Sequence, residues 1–186
     1  TWIIPWHAEA PEQANSDVII RLDPGLAFGS GTHPTTALCL QWLDGLDLHD
    51  KCVLDFGCGS GILALAALKL GAKHAVGIDN DPQALIATRD NSDRNGVGDN
   101  LEVYLPEQAP TGQYPIVVAN ILASALISLV DVLAARVQTG GIIALSGILH
   151  NQADEVISHF QNYFDELTVL QQEDWVRICG RRNNTH

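Results

Sequence analysis

The feature that most constrains the fold is an alternation of short, β-branched apolar runs with longer segments of helix-forming residues. The apolar runs predict strands at residues 52–56, 74–79, 101–105, 116–119 and 142–145. The longer segments predict helices at residues 35–43, 61–70, 82–95, 121–137 and 152–164. Strands separated by helices in this way form βαβ units, which predict a mostly parallel sheet covered on both faces.

The last two predicted strands, residues 167–170 and 175–179, break this pattern. The few residues between them cannot form the crossover helix that parallel neighbours need. We therefore expect an antiparallel hairpin at this point. The full prediction is an α/β fold with a seven-stranded, mostly parallel sheet and a reversed final strand.

Composition limits the class of partner. The chain has 186 residues, enough for a domain with its own core, and 46% of them are hydrophobic. It carries 22 acidic and 10 basic residues, for a formal net charge of −12. This charge repels phosphate backbones, so direct nucleic-acid binding is not expected and a basic or amine-bearing partner is favoured. The alternative is that the surplus carboxylates simply keep the surface soluble.

Cysteine and histidine spacing predicts no metal site. The four cysteines include no C-x-x-C pair, and the seven histidines show no ligand spacing. No apolar run approaches the roughly 20 residues that a bilayer-spanning helix needs, so no membrane partner is expected. The cysteine pattern favours a reducing, cytoplasmic compartment. A monomer is expected.

Three glycines follow the strand predicted at residues 52–56 and lead into the next helix. Gly57, Gly59 and Gly61 form a G-x-G-x-G run, with Asp55 before it. Glycine lets the backbone turn tightly and approach a ligand closely, and free N–H groups at a helix start face that ligand. Dinucleotide sites and S-adenosylmethionine sites share these properties.

The spacing of the loop separates these two ligands. The dinucleotide fingerprint G-x-G-x-x-G would need a glycine at position 62, where Ile62 stands. Asp55 would repel a pyrophosphate, but it suits the ammonium group of S-adenosylmethionine. A nicotinamide-dependent dehydrogenase is therefore disfavoured, and S-adenosylmethionine is the expected cofactor. The predicted sheet is also typical of Rossmann-like methyltransferases that use this cofactor.

An acidic residue, Asp79, ends the second strand of the alternating region. It lies 22 residues after Gly57, where its carboxylate can accept hydrogen bonds from both ribose hydroxyls of the cofactor. Taken alone, Asp79 would more simply cap the next helix. With the glycine loop at this distance we favour the ribose role, and Asp81, before Pro82, becomes the predicted helix cap.

One polar side chain, Asn120, follows the strand predicted at residues 116–119. Ligands bind at this carboxyl edge of an open α/β sheet. Taken alone, Asn120 could merely cap the following helix. In methyltransferases that act on nitrogen, however, this place carries Asn or Asp, whose oxygen accepts the N–H bonds of the amine. Asn120 is therefore the candidate catalytic residue, and the sequence offers no obvious general base.

The stretch from Asp23 to Thr36 is the most unusual in the chain. It holds three glycines and two prolines together with Phe28 and His33. A flexible linker would not need these two side chains. We predict a loop that closes over the cofactor, with Phe28 and His33 as candidate cofactor contacts. His33 is equally well explained as a hydrogen-bonded packing residue.

Four motifs together resemble one bacterial family. They occur in this order over nearly the whole chain: D-P-G-L-A-F-G-S-G-T-H-P-T-T, D-F-G-C-G-S-G-I-L-A, G-I-D-N-D-P-Q-A and V-A-N-I-L-A. In these motifs the chain resembles the methyltransferases that act on protein eleven of the large ribosomal subunit. G-x-G-x-G is generic, whereas the Phe28–Thr36 loop and Asn120-Ile121-Leu122 are much more specific.

The resemblance implies an S-adenosylmethionine-dependent N-methyltransferase that methylates the α-amine and lysine side chains of that ribosomal protein. It implies cofactor contacts at Thr36, Gly57, Asp79 and Asn120, to which the glycine loop adds Gly59. Family members carry a small N-terminal domain that recruits the substrate, and we expect that domain to be missing before this chain. The expected division is an initial segment, residues 1–24, and a methyltransferase domain, residues 25–186.

Two other interpretations stay open at this point. The chain could be a methyltransferase for another protein or for a small-molecule amine. It could also be a non-catalytic module that holds the cofactor for stability or assembly, although Asn120 argues against this. The Pro-Pro-aromatic run of many nucleic-acid amino-methyltransferases is replaced by Ile121-Leu122-Ala123, which offers a flat base no stacking platform.

Overall fold

The computed structural model describes residues 2–5, 19–22 and 33–185, which contain one large sheet of seven strands. Two short strands, β1 (Trp2–Pro5) and β2 (Ile19–Leu22), pair in parallel outside it. The strands of the large sheet follow in chain order: β3 (Cys52–Phe56), β4 (His74–Ile78), β5 (Leu101–Tyr104), β6 (Tyr114–Asn120), β7 (Val137–Leu149), β8 (Phe164–Gln172) and β9 (Trp175–Arg182).

The strand order of the large sheet is β5-β4-β3-β6-β7-β9-β8. The first five strands in this order are parallel to one another. β9, the last strand of the chain, runs antiparallel to both β7 and β8. The predicted α/β fold, with a mostly parallel seven-stranded sheet, a terminal hairpin and a reversed final strand, is confirmed.

Helices cover both faces of the sheet. They are α1 (Pro34–Asp44), α2 (Ile62–Lys69), α3 (Pro82–Arg94), α4 (Ala123–Ser128), α5 (Val130–Arg136) and α6 (Ala153–Phe160). Side chains alternate between the faces along a strand. On β3, Val53 belongs to the core with α1 and α2, while Leu54 belongs to the core with α4, α5 and α6. The predicted covering of both faces is confirmed.

The helix predicted at residues 121–137 was wrong in its continuity and in its start. The structure has two helices there, α4 and α5, with Leu129 between them in a conformation of φ −106° and ψ 11°. The segment contains neither glycine nor proline, so its local sequence carries no sign of the break. The first two residues, Ile121 and Leu122, precede the helix and continue the chain away from β6.

Two further boundaries were wrong near the end of the chain. The helix predicted at residues 152–164 ends at Phe160, and Phe164 begins β8. The strand predicted at residues 142–145 extends over thirteen residues as β7. Gly140 lies inside this strand with a φ of +79°. Pairing with β9 from Ile142 to Leu149 extends β7 beyond residue 145, and at the other end Val137 pairs with Tyr114 of β6.

The strands β1 and β2 were not predicted. Ile20 and Leu22 of β2 are buried in the core with α1 and α2. Asn95, at the end of α3, holds β2 through both backbone groups of Arg21, each at 2.7 Å. The predicted division at residue 24 falls outside the described residues and stays a prediction.

No helix in the described ranges is both long and apolar enough to cross a bilayer. The four cysteines of the chain, which all lie in these ranges, carry free thiols.

Candidate active site

The glycine loop joins β3 to α2 at the carboxyl edge of the sheet. Gly57, Gly59 and Gly61 have φ angles of +80°, +55° and +82°, in the region that other residues disfavour. Gly61 is also the N-cap of α2 and provides no side-chain cap. The loop therefore presents backbone rather than side chain to the space above the sheet.

Two fully buried polar side chains of α3 hold this loop from behind. Oγ1 of Thr88 donates to the carbonyl of Gly59 at 3.0 Å, and Nδ2 of Asn91 donates to the carbonyl of Ser60 at 2.9 Å. Sequence reasoning missed both residues. The available signal was a pair of polar residues three apart, on a single face of a predicted helix.

Asp79, at the end of β4, connects the loop to the start of α3. Its Oδ2 accepts from the backbone N–H of Gly59 and its Oδ1 from that of Asp81, both at 2.9 Å. Asp81 is the N-cap of α3 and accepts from the N–H of Gln83. The prediction that Asp81, rather than Asp79, caps this helix is confirmed. Each oxygen of Asp79 keeps further acceptor capacity, because a carboxylate has about four lone-pair sites.

Asp55 is a buried carboxyl beneath the loop. It is 1% exposed, and its Oδ2 accepts from the N–H of Ala64 at 3.2 Å. Its Oδ1 has no hydrogen-bond partner among the described residues. Burial raises the pKa of Asp55 to about 7, the Ala64 N–H opposes this, and the negative charge of Asp79 adds to it. Asp55 therefore has one oxygen without a hydrogen-bond partner among the described residues, and its carboxyl group titrates near neutral pH.

Asn120 ends β6 on the sheet face that α1 covers. Its Nδ2 donates to Oγ1 of Thr36 at 3.4 Å. The neighbouring strand β7 is also joined to α1, since Oγ of Ser146 donates to the carbonyl of Thr35 at 2.9 Å. The N-cap of α4 is Leu122, and α4 has no side-chain cap. Asn120 therefore does not serve as a helix cap.

His33 is the N-cap of α1. Its Nδ1 accepts from the N–H of Thr35 at 3.3 Å and lies 2.8 Å from the Thr35 hydroxyl. Its ring meets Trp175 edge-on, with the centroids 4.9 Å apart. This geometry agrees with the second interpretation of His33, that of a hydrogen-bonded packing residue. Phe28 lies outside the described residues, and its predicted role stays a prediction.

The glycine loop, Asp55, Asp79 and Asn120 open onto one cavity of about 650 Å³. Five predicted site residues lie in its wall: Thr36, Gly57, Gly59, Asp79 and Asn120. Asp55 lies there as well, whereas His33 is not part of the wall that the described residues form. The structure thus brings together residues from α1, β3, β4 and β6, although their roles stay predictions.

One side of the cavity was not predicted. It is a stripe of side chains that begins after β6 and continues along α4 and α5, formed by Ile121, Ala125, Leu129, Val132 and Arg136. Positions three or four apart lie on one face of a helix. This spacing was a usable signal in the sequence. Pro106, which follows β5, also lines the cavity.

The sheet order, the reversed final strand and the glycine loop at the carboxyl edge define a Rossmann-like methyltransferase fold. A family model described as "Ribosomal protein L11 methyltransferase (PrmA)" matches residues 1–183. The chain belongs to the ribosomal protein L11 methyltransferase family.

Individual relatives support this assignment. The chain is 62% identical to a ribosomal protein L11 methyltransferase of Stenotrophomonas maltophilia and 60% identical to one of Xanthomonas axonopodis pv. citri. Each match covers 98% of this chain and 61% of the relative, so the chain spans about three fifths of the length of these relatives.

Solved structures agree with the fold. A ribosomal protein L11 methylase from Lactobacillus delbrueckii subsp. bulgaricus is 30% identical with a TM-score of 0.82, over 97% of this chain and 93% of that one. An RNA methyltransferase from Salinibacter ruber in complex with S-adenosyl-L-homocysteine is 17% identical with a TM-score of 0.65, over 83% of this chain and 95% of that one. The second likeness shows the fold alone.

Proposed function

We propose that this chain binds S-adenosylmethionine in the cavity and methylates amines of ribosomal protein L11, at its α-amine and its lysine side chains. The observation that carries the proposal is that Asp79 and Asn120 lie in the wall of the same cavity, on either side of the glycine loop. One of these residues is suited to hold a ribose and the other to hold an amine. Family membership supports the choice of substrate.

The cavity residues fit the cofactor by their chemistry. Asp79 has acceptor capacity for two ribose hydroxyls while it holds the loop. The free oxygen of Asp55 suits the ammonium group, which would also favour the charged form of this carboxyl. Gly57 and Gly59 turn the loop with positive φ, so that it presents backbone to the cavity. When bound, the cofactor supplies an activated methyl group on a sulfonium.

The residues near Asn120 would position the acceptor amine. Because Nδ2 of Asn120 donates to Thr36, the amide oxygen is the atom left to accept an N–H from the substrate. This contact would direct the nitrogen lone pair into the cavity, and positioning of this kind supplies much of the catalysis in an in-line displacement. The amine must be neutral. At pH 7 its deprotonation costs about 4–5 kcal/mol for lysine and about 1 kcal/mol for an α-amine.

The charge of the chain agrees with a basic protein substrate. A formal net charge of −12 attracts a lysine-bearing partner and repels nucleic acid. In the curated relatives, about two fifths of the length lies outside the match, and we place a substrate-recruiting domain of the family there. A cytoplasmic location is part of the same proposal.

Two measurements test this function together. Calorimetric titration should detect S-adenosylmethionine binding, and mass spectrometry should detect added methyl groups on ribosomal protein L11. Asn120→Ala should lower turnover by about 100-fold or more and cofactor affinity by much less, because the main contact it removes is the one that orients the amine. Asn151→Ala is the control, since Asn151 is an exposed asparagine outside the cavity wall.

The outcomes separate the competing functions. Binding with no transfer to any amine would identify a cofactor-holding module instead. Transfer to another protein or to a small amine, but not to L11, would keep the enzyme class and reject the substrate. Normal turnover of Asn120→Ala would remove Asn120 from its role.

A further inference from the structure

Ile121 lies between two glycines at the edge of the cavity. It follows Asn120 directly and forms part of the cavity wall. On one side, its Cγ2 occupies the space that a Cβ on Gly57 would need. On the other side, its backbone lies against Gly147, where a Cβ would overlap the Ile121 carbonyl oxygen and come within 2.8 Å of the carbonyl carbon.

Both glycines have backbone conformations that favour glycine, with φ of +80° at Gly57 and +86° at Gly147. Gly57 belongs to the cofactor loop. Gly147 lies in β7, where the register with β9 shifts between Leu145 and Ile148. Asn120 pairs with Ser146 of β7, so Ile121 meets Gly147 one step beyond the last pair of β6 and β7.

We propose that Ile121 is a positioning residue, which sets the distance between the cofactor loop at Gly57 and the amide of Asn120. This inference rests on the proposed function of Asn120. A β-branched side chain is stiff at χ1, so the position of Cγ2 follows the backbone closely. The contact with Gly147 joins backbone to backbone, which leaves no flexible side chain to yield. Methyl transfer is sensitive to such spacing, since a 1 Å displacement can lower a rate by about 100-fold.

The first test compares two glycines of β7. Gly147 and Gly140 have φ of +86° and +79°, so alanine introduces similar backbone strain at both positions. A Cβ on Gly140 meets nothing within 4 Å, whereas a Cβ on Gly147 meets the Ile121 backbone. Gly147→Ala should have a kcat at least about tenfold below that of Gly140→Ala, with cofactor dissociation constants within about threefold of each other. Equal kcat values would overturn the inference.

The second test changes Ile121 while keeping an apolar side chain. Valine retains both γ carbons, including the one against Gly57, whereas leucine moves the branch point away from Cβ. Ile121→Leu should lower kcat by about tenfold, and Ile121→Val should lower it by less than about threefold. Equal losses in the two variants would show that the Cγ2 contact with Gly57 does not set the spacing.

A third measurement does not depend on turnover. The side-chain amide resonance of Asn120, assigned by its loss in Asn120→Asp, reports the environment of this group in heteronuclear NMR spectra. It should shift in Gly147→Ala and in Ile121→Leu but stay in place in Gly140→Ala. An unmoved resonance in all three variants would overturn the inference. If the wild-type chain methylates nothing while the resonance shifts as expected, the proposed function fails and the positioning role stands.

Discussion

Asn120 and Thr36 are 84 residues apart in the sequence and are joined by a hydrogen bond from Nδ2 of Asn120 to Oγ1 of Thr36, at 3.4 Å. The bond connects the end of β6 to the first turn of α1. It occupies the N–H side of the amide, so the oxygen side remains available to accept a hydrogen bond. Thr36 therefore determines which end of the Asn120 amide a substrate would meet.

We expect Thr36→Val to lower kcat by about threefold to tenfold. The substitution removes the hydroxyl acceptor, and a lost hydrogen bond of this kind corresponds to about 0.5–1.5 kcal/mol. Thr36→Ser restores the hydroxyl and should recover most of the loss. Steady-state kinetics, with cofactor affinity measured in parallel, checks both variants. Indistinguishable kcat values for valine and serine would show that the hydroxyl does not orient Asn120.

Asp79→Ala should weaken S-adenosylmethionine binding by about 100-fold or more. The variant loses the two oxygens that we propose accept the ribose hydroxyls, and a hydrogen bond to a charged group contributes about 1.5–3 kcal/mol. It also releases the N–H groups of Gly59 and Asp81. Asp81→Ala is the matched control, because it removes a neighbouring carboxylate and a helix cap but keeps Asp79. Isothermal titration of both variants decides the point, and equal affinities would exclude the ribose role.

Asp55 makes stability depend on pH in a defined direction. Its pKa is about 7 in the folded chain against 3.8 for an unperturbed aspartate, so between these values the folded state binds more protons than the unfolded state. The free energy of unfolding contributed by this group therefore falls as pH rises from about 4 to about 7, by on the order of 4 kcal/mol, and levels off above that.

Asp55→Asn removes this titration. Between pH 4 and pH 8, the free energy of unfolding measured with urea should fall less in the variant than in the wild-type chain. The variant should exceed the wild-type chain in stability most clearly near pH 8. Asp90→Asn, at an exposed position on α3, is the control for loss of one carboxylate. A wild-type pH profile in Asp55→Asn would contradict the assigned burial effect.

Gly61→Ala should destabilise the chain more than Gly96→Ala. Both positions have a positive φ, of +82° and +71°, so each alanine costs about 1–2 kcal/mol in backbone strain. A Cβ on Gly61 would also lie 2.7 Å from Cγ2 of the buried Thr88, and overpacking adds about 1–3 kcal/mol. A Cβ on Gly96 would meet nothing within 4 Å. Urea unfolding measures the difference, and equal losses would show that Thr88 can move aside.

Displacement of Thr88 has a second expected effect in the same variant. Thr88 donates to the carbonyl of Gly59, so Gly61→Ala should also reduce cofactor affinity, while Gly96→Ala should not. Calorimetric titration of the two variants checks this separately from stability.

Local chemistry explains what could be predicted from the sequence. The β-branched runs marked the strands of the parallel region, since buried parallel strands are nearly continuous in apolar residues. Asp81 and Pro82 marked the start of α3, because an aspartate cap and a proline in the first turn act within a few residues. The break at Leu129 and the full length of β7 escaped prediction, because neither has a local marker in the sequence.

Residue type was enough to identify the glycine loop, the acidic residues around it and the alternating pattern that requires a sheet covered on both faces. These features depend on backbone conformation and apolar spacing within short segments, which residue type controls directly. Three relationships arise from tertiary packing: Asn120 bonds to Thr36 instead of capping α4, Asp55 is buried with a raised pKa, and Ile121 fits between Gly57 and Gly147. Those relationships depend on which strands become neighbours, and that order follows from packing of the whole sheet.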